Sequence, residues 1–218
     1  ENVFPTFRAE AEFQYDSIVT PKDGLYEHII IAKDPNNLPF SISFGSSGAV
    51  RDHFITVDYI DTSNCRNTNS MFYFCSKLVS VNLTGCDISK VTSMSSMFQG
   101  CTSLEHIIGL NTLDTSNATN MANMFTNCNK ILSLDVSNFD TAKVTNMQNM
   151  FQNCTVLTSL DVSSFDTSKV TNMESMFTNC NNLEQLKGNF VLNNVNCTYM
   201  FRECLKAPDL SEFKMSGT

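Results

Sequence analysis

No run of eighteen consecutive apolar residues occurs in the 218-residue chain, so nothing in it reads as a bilayer-spanning helix. Positive charge is scarce: 14 Lys and Arg stand against 22 Asp and Glu, a formal net charge of -8 with pI near 4.8. A protein that tracks phosphates needs a cationic face, so nucleic acid is excluded as a partner. Charged residues of both signs make up only 17% of the chain, which leaves Asn, Ser and Thr to supply most of the surface. The 8 glycines form no phosphate-cradling loop. No Cys-x-x-Cys pair exists, so a zinc site lacks its usual seed. The chain opens at Glu1 without a charged-then-apolar leader, and a targeting segment is expected to be absent from these residues.

What is present suffices for a core. Hydrophobic residues reach 42%, with 17 Phe, enough for one or at most two domains. The 9 cysteines cannot all pair, because their number is odd, and their spacing says more than their count.

That spacing reveals a repeat. Met-Phe-x-x-Cys occurs six times, at Met71–Cys75, Met97–Cys101, Met124–Cys128, Met150–Cys154, Met176–Cys180 and Met200–Cys204. Successive cysteines lie 26, 27, 26, 26 and 24 residues apart. Two copies agree far beyond this core: DVSNFDTAKVTNMQNMFQNC ends at Cys154 and DVSSFDTSKVTNMESMFTNC at Cys180.

Within a copy, Met173, Met176, Phe177 and Cys180 fall at i, i+3, i+4 and i+7, one face of a short helix. Thr171 with Glu174 reads as a capping box that starts it, and Thr92, Thr119 and Thr145 are placed to cap in the same way. A Leu-x-x-Leu-x-Val pattern follows, as at Leu157, Leu160 and Val162, and predicts a short half-buried strand. Phe165-Asp166-Thr167-Ser168 then turns the chain. One such unit cannot bury its apolar side alone; stacked units can. The expected fold is therefore an α/β solenoid: a right-handed superhelix with a parallel sheet on one face and short helices on the other. Six strands at the usual spacing would make a face of roughly 29 Å.

The frame V-T-N-M-x-x-M-F-x-x-C-x-x-L-x-x-L-D-V-S-x-F-D-T-S resembles the BspA-like leucine-rich repeats of bacterial surface proteins, over roughly residues 65 to 214. The resemblance implies a secreted or cell-surface protein that acts by adhesion or recognition, with any lipid anchor lying outside this chain. The family motif carries no catalytic residues, so none is assigned here. No cofactor is expected.

Departures from the frame mark irregular coils. Cys65 and Cys86 replace core Val and Phe in the first copy, and the second inserts a residue around Ile108-Gly109-Leu110. The fifth loses two residues across Gly188 to Val195 and places Cys197 in the Met column, which predicts a bend or bulge near 186 to 197. Residues 1–60 carry no copy of the frame. Short β-branched or aromatic runs at Phe7–Tyr15, Tyr26–Ala32, Phe40–Phe44 and Phe54–Tyr59, with turns at Pro21–Gly24 and Asp34–Asn37, predict a β-rich N-terminal cap. A small β-domain with its own ligand is the alternative. Residues 61–218 form the solenoid. Asp209–Thr218 resembles half of another unit, so the last coil is expected to be poorly capped, to fray or to associate weakly end to end with a second copy.

The Met and Cys columns would suit soft metals, but their amphipathic spacing points them into the core, as free stacked thiols. Cys65, Cys86 and Cys197 read as core substitutions. Asp87, Asp114, Asp140 and Asp166 recur in the turn, where an Asx hydrogen bond explains them. Asp135 and Asp161 instead fall between strand positions and are expected to project from the sheet face. With Ser133, Ser137, Ser159 and Ser163, and with Asn82 and Lys187 towards the two ends, they form a ladder of polar side chains suited to a protein or glycan ligand. A solvated face without ligand is the plain alternative, and calcium at Asp135 and Asp161 would need six or more oxygens. His28, His53 and His106 are scattered, with no evident nucleophile beside them, so the protein is read as not an enzyme. The competing readings are a structural spacer that displays another domain, or a phage or cell-envelope tip module.

Overall fold

The computed structural model describes residues 14–22, 25–33, 40–41, 56–60, 62, 65–206 and 208–216; the expected strand residues 7–13, 42–44 and 54–55, the turn Asp34–Asn37 and His53 lie outside them. Strands β1 (Gln14–Lys22) and β2 (Leu25–Lys33) pair antiparallel. From there the pairing is parallel: β2 with β4 (Thr56–Ile60), β4 with β6 (Ser80–Asn82), and β6 with β7 (His106–Ile108). A two-residue β3 (Phe40–Ser41) pairs with β5 (Cys65–Asn67). Further on, β8 (Ser159–Asp161), β9 (Gln185–Val191) and β10 (Phe213–Ser216) form a second parallel sheet with β9 in the middle.

The expected helices are not there. Among the described residues the one helical element is a three-residue 3-10 turn, Leu110–Thr112, at the insertion in the second copy. The fold is a parallel, leucine-rich-repeat-like β-solenoid, and the α/β assignment is corrected. The reason is in the backbone of the Met-x-x-Met-Phe-x-x-Cys segment. Met147, Asn149, Phe151 and Asn153 donate their N–H groups to Asn172, Glu174, Met176 and Thr178 of the next coil at 2.8–2.9 Å. The residues between them turn back on their own coil, as Met150 N–H does to Met147 C=O and Cys154 N–H to Phe151 C=O. A helix would commit successive N–H groups to its own chain; here every second one is spent on a neighbour.

Positive φ enforces this. Asn123, Asn149 and Ser175 have φ of 55–59°, and Asn127, Asn153 and Asn179, four residues on, have 59–62°. Asn tolerates this left-handed region better than most residues, and a residue held there every fourth position breaks any α-helix. Its amide also stacks: Asn179 donates to Asn153 at 2.7 Å and Asn153 to Asn127 at 2.6 Å. At Gly100, in the same column, an added Cβ would lie 2.9 Å from the Phe74 ring, so that coil closes only with glycine.

The apolar positions fall inward as the spacing predicts. Phe72, Phe98, Phe125, Phe151, Phe177 and Phe201 form one stack of near-parallel rings with centroids 5.3–5.7 Å apart. A buried Phe contributes about 1.5–3 kcal/mol, and each ring pair roughly 0.5–1.5 kcal/mol more. Cys101, Cys128, Cys154 and Cys180 are buried free thiols. Each donates to the carbonyl of the Phe in the preceding coil, at 3.0–3.3 Å. Burial pushes these thiols up, Cys154 to about 12. Cys65 is buried and Cys86 partly so, but Cys197 is exposed, because no described coil follows to cover the Met column there.

Two further expectations change. Thr119, Thr145 and Thr171 do not cap: each hydroxyl donates to the Thr carbonyl of the preceding coil at 3.0–3.2 Å. The local cap is the following Asn, whose side-chain oxygen accepts the N–H two residues on, as Asn172 does from Glu174 at 3.0 Å. Over 186–197 the chain neither bends nor bulges at first. The strand β9 runs on for 7 residues with Gly188 buried against Val162, where an added Cβ would meet the Val162 side chain at 2.7 Å. The shortened fifth copy is absorbed by extending a strand in place of the Val-x-x-Phe turn.

Candidate functional site

The sheet face is built by one apolar anchor per coil. Val81, Leu160 and Leu186 are buried, with Ile107 and Leu134 packed more loosely against the core. Alternation along an extended segment sends the residues on either side of each anchor outward. Register aligns Ser80 with His106 and Asn82 with Ile108 at one end of the face. At the other, Ser159 lies beside Gln185 and Asp161 beside Lys187, with Gln185 bridged to Asp209.

Of the expected ladder, Ser159, Asp161 and Lys187 are brought together. Ser133 and Asp135 are exposed but lie in a segment, residues 131–136, that forms no strand and falls between the two sheets. Asn82 is two coils away, beside Ile108, which is 53% exposed. The insertion accounts for the gap: Leu110–Thr112 winds into a 3-10 turn directly after β7, and the next coil cannot hold its register. The face is two polar patches rather than one ladder.

The acidic residues are not a set apart from the turn aspartates. Asp135 accepts from the Ser137 hydroxyl at 2.6 Å and its N–H at 3.1 Å, and its other oxygen accepts from Asn111 at 2.7 Å. Asp161 accepts from Ser163 N–H at 2.9 Å. Asp114 and Asp166 do the same with Ser116 and Ser168, and Asn82 with Thr84 N–H. Ser137 and Ser163 thus serve their own aspartates. The hydroxyl and N–H of these serines hold the Asp135 and Asp161 carboxyls below the usual range, so both are ionised at neutral pH.

Several face residues escaped the sequence reading. Asp209 and Ser211 repeat the Asp-x-Ser turn, with Ser211 N–H donating to Asp209 at 2.8 Å; the motif was visible in the sequence. Glu212 pairs with Lys187 at 2.8 Å and raises that ammonium, while Lys206 pairs with Glu184 at 2.5 Å; neither pair had a spacing signal. Gln185, Lys187, Asp209, Ser211 and Glu212 line a shallow polar cleft between the last two coils. Among the described residues no three of His, Cys, Asp and Glu gather where they could hold a metal ion. Among them, too, no helix is long and apolar enough to cross a membrane.

A family model described as a Mycoplasma protein of unknown function, DUF285, matches residues 46–133 and 108–213. The chain belongs to the DUF285 family. No curated protein matches it. Two solved structures are similar: a leucine-rich repeat protein from Bacteroides ovatus ATCC 8483, 15% identical, TM-score 0.39, covering 98% of this chain and 53% of that one; and a leucine rich cell surface protein from Faecalibacterium prausnitzii A2-165, 15% identical, TM-score 0.37, covering 89% and 56%. This DUF285 chain therefore spans little more than half the length of either.

Proposed function

We propose that the protein is a non-enzymatic bacterial recognition module, secreted or held at the cell surface, that binds a protein or glycan ligand through its sheet face. The observation that carries this reading is the contrast between fixed anchors and changing neighbours. The outward pairs flanking the anchors run Ser80/Asn82, His106/Ile108, Ser133/Asp135, Ser159/Asp161, Gln185/Lys187 and Asp209/Ser211. A scaffold that repeats its buried anchors while varying the outward side chains gives specificity at little cost to the fold. The carboxylates are held ionised by their own serines, which favours polar contacts over proton transfer. The surface placement rests on the likeness of the repeat frame to BspA-like proteins. Residues 1–60 serve in this reading as the cap that closes the first coil.

The unbroken ring stack favours a second role, as a stiff spacer displaying another domain. One experiment separates the two. Once a screen of host matrix proteins and glycans yields a binder, the combined variant Asp135→Ala, Ser159→Ala, Asp161→Ala should weaken binding at least about tenfold with thermal stability little changed. Unchanged affinity would move the site off the sheet face, and no binder at all would leave the spacer.

A further inference from the structure

The Met-Phe-x-x-Cys face departs from its own pattern in the column of left-handed residues. Phe74, Gly100, Asn127, Asn153 and Asn179 share this column, each passing its N–H to the next coil at 2.7–2.9 Å. All five have positive φ, between 56° and 79°. Glycine and asparagine tolerate that region, whereas a phenylalanine held there is strained. Burial would account for such a ring, yet Phe74 is 41% exposed. Its ring lies over Gly100, where an added Cβ would come within 2.9 Å of it. Tyr73 stands edge-on to it, with centroids 4.5 Å apart and planes at 75°. A strained backbone, a glycine and a second aromatic side chain thus hold one ring at the surface.

Beside that ring an amide is left over. Asn179 donates to Asn153 and Asn153 to Asn127 at 2.6–2.7 Å. Gly100 offers Asn127 no side chain in the next coil of the column, and among the described residues no group accepts from the Asn127 amide. Asn153 spends one N–H and one lone pair within the ladder and keeps one of each for an outside partner. The residues flanking the column at Gln99, Thr102, Gln152 and Thr155 are uncharged.

We propose that Phe74 and the Asn127 and Asn153 amides form a binding site for a neutral β-linked oligosaccharide, separate from the sheet face and additional to its ligand. A pyranose with equatorial hydroxyls has an apolar C–H face, which packs on the electron-rich face of an aromatic ring. Its rim of hydroxyls both donates and accepts, as the free sides of the amides do. Spacing favours a chain of sugars over a single one. The rings of Phe98, Phe125 and Phe151 step by 5.7 Å per coil, close to the length of one unit in an extended β-linked chain. Three successive coils then present the Phe74 ring over Gly100, the Asn127 amide and the Asn153 amide.

The test titrates cellotetraose and tetra-N-acetylchitotetraose into the full chain by calorimetry, with the Phe74 ring and Asn127 amide signals followed by NMR. At least one of the two should bind and shift both sets of signals. Phe74→Asn installs the residue found at Asn127, Asn153 and Asn179 and relieves the left-handed strain. It should weaken binding at least about tenfold, with Tm unchanged or raised. The sheet-face triple variant should bind the oligosaccharide as the parent does, which separates this site from the ligand face. Binding of neither sugar, undiminished affinity in Phe74→Asn, or loss of binding in the triple variant would overturn the proposal. A markedly lower Tm for Phe74→Asn would overturn it too, by making the ring a cover for Gly100.

Discussion

The two long faces of this solenoid are held to different standards. On the Met-Phe-x-x-Cys face, ring, thiol and alternate N–H pairings pass through six coils without a break, and the Phe and the Cys recur at each level. On the sheet face the strands stop after β7 and resume at β8, and the outward residues change at every step but that from Ser133/Asp135 to Ser159/Asp161. The first face tolerates little because each group there serves its own coil and a neighbour. The second needs only one buried anchor per coil, so a coil can drop out of register at 131–136 while the stack carries on. Stability is concentrated on one side, leaving the other free to vary.

Breaking the constant face should cost most. Phe125→Ala opens a cavity between two rings and is expected to destabilise by about 3–5 kcal/mol, seen as a large fall in Tm; Ser159→Ala on the other face should stay within about 0.5 kcal/mol. Alkaline pH attacks the same face. The buried thiols have raised folded pKa values, so their contribution is fully present below the unfolded value of about 8.5 and is lost as pH rises towards the folded value, about 12 at Cys154. Above the unfolded value the buried thiols should lower stability progressively, measured as a falling Tm between about pH 9 and 11. Asn153 sharpens the comparison further. Asn153→Ala loses two amide hydrogen bonds and strains a left-handed residue, for about 2 kcal/mol, whereas Asn153→Gly relieves the strain and should cost about half as much in denaturant melts. The sheet face gives small effects throughout: Asp161→Ala frees one exposed turn and should shift stability by less than about 1 kcal/mol in the same melts.

Much of this was legible in the chain. The Met, Phe and Cys columns gave the coil length, the core and the free thiols, because amphipathic spacing reports which side of a coil faces inward. It does not report how the backbone gets there. An i, i+3, i+4, i+7 pattern serves a helix and a run of tight turns equally well, and it was Asn149 and Asn153, four apart and both at positive φ, that separated the two. A sequence reading could have weighed those asparagines, but Ser175 occupies the same column, and Phe74, Tyr199 and Glu203 hold positive φ in the end coils with no residue signal at all. On the sheet face, Ser159, Asp161 and Lys187 came together because β8 and β9 keep strict register. Asn82 and Asp135 did not, because a one-residue insertion cost the intervening coil its pairing. The aspartates looked like two sets because strand alternation was read without the Asp-x-Ser turn that follows them.

The most direct test is residue-resolved thiol labelling of the native chain under non-reducing conditions, followed by mass spectrometry. Cys197, exposed, should label at once, while Cys101, Cys128, Cys154 and Cys180 stay unmodified until the whole stack unfolds, and then label together. Rapid labelling of any of those four in the folded protein, or a disulfide joining two of them, would contradict a continuous dry column of thiols and rings.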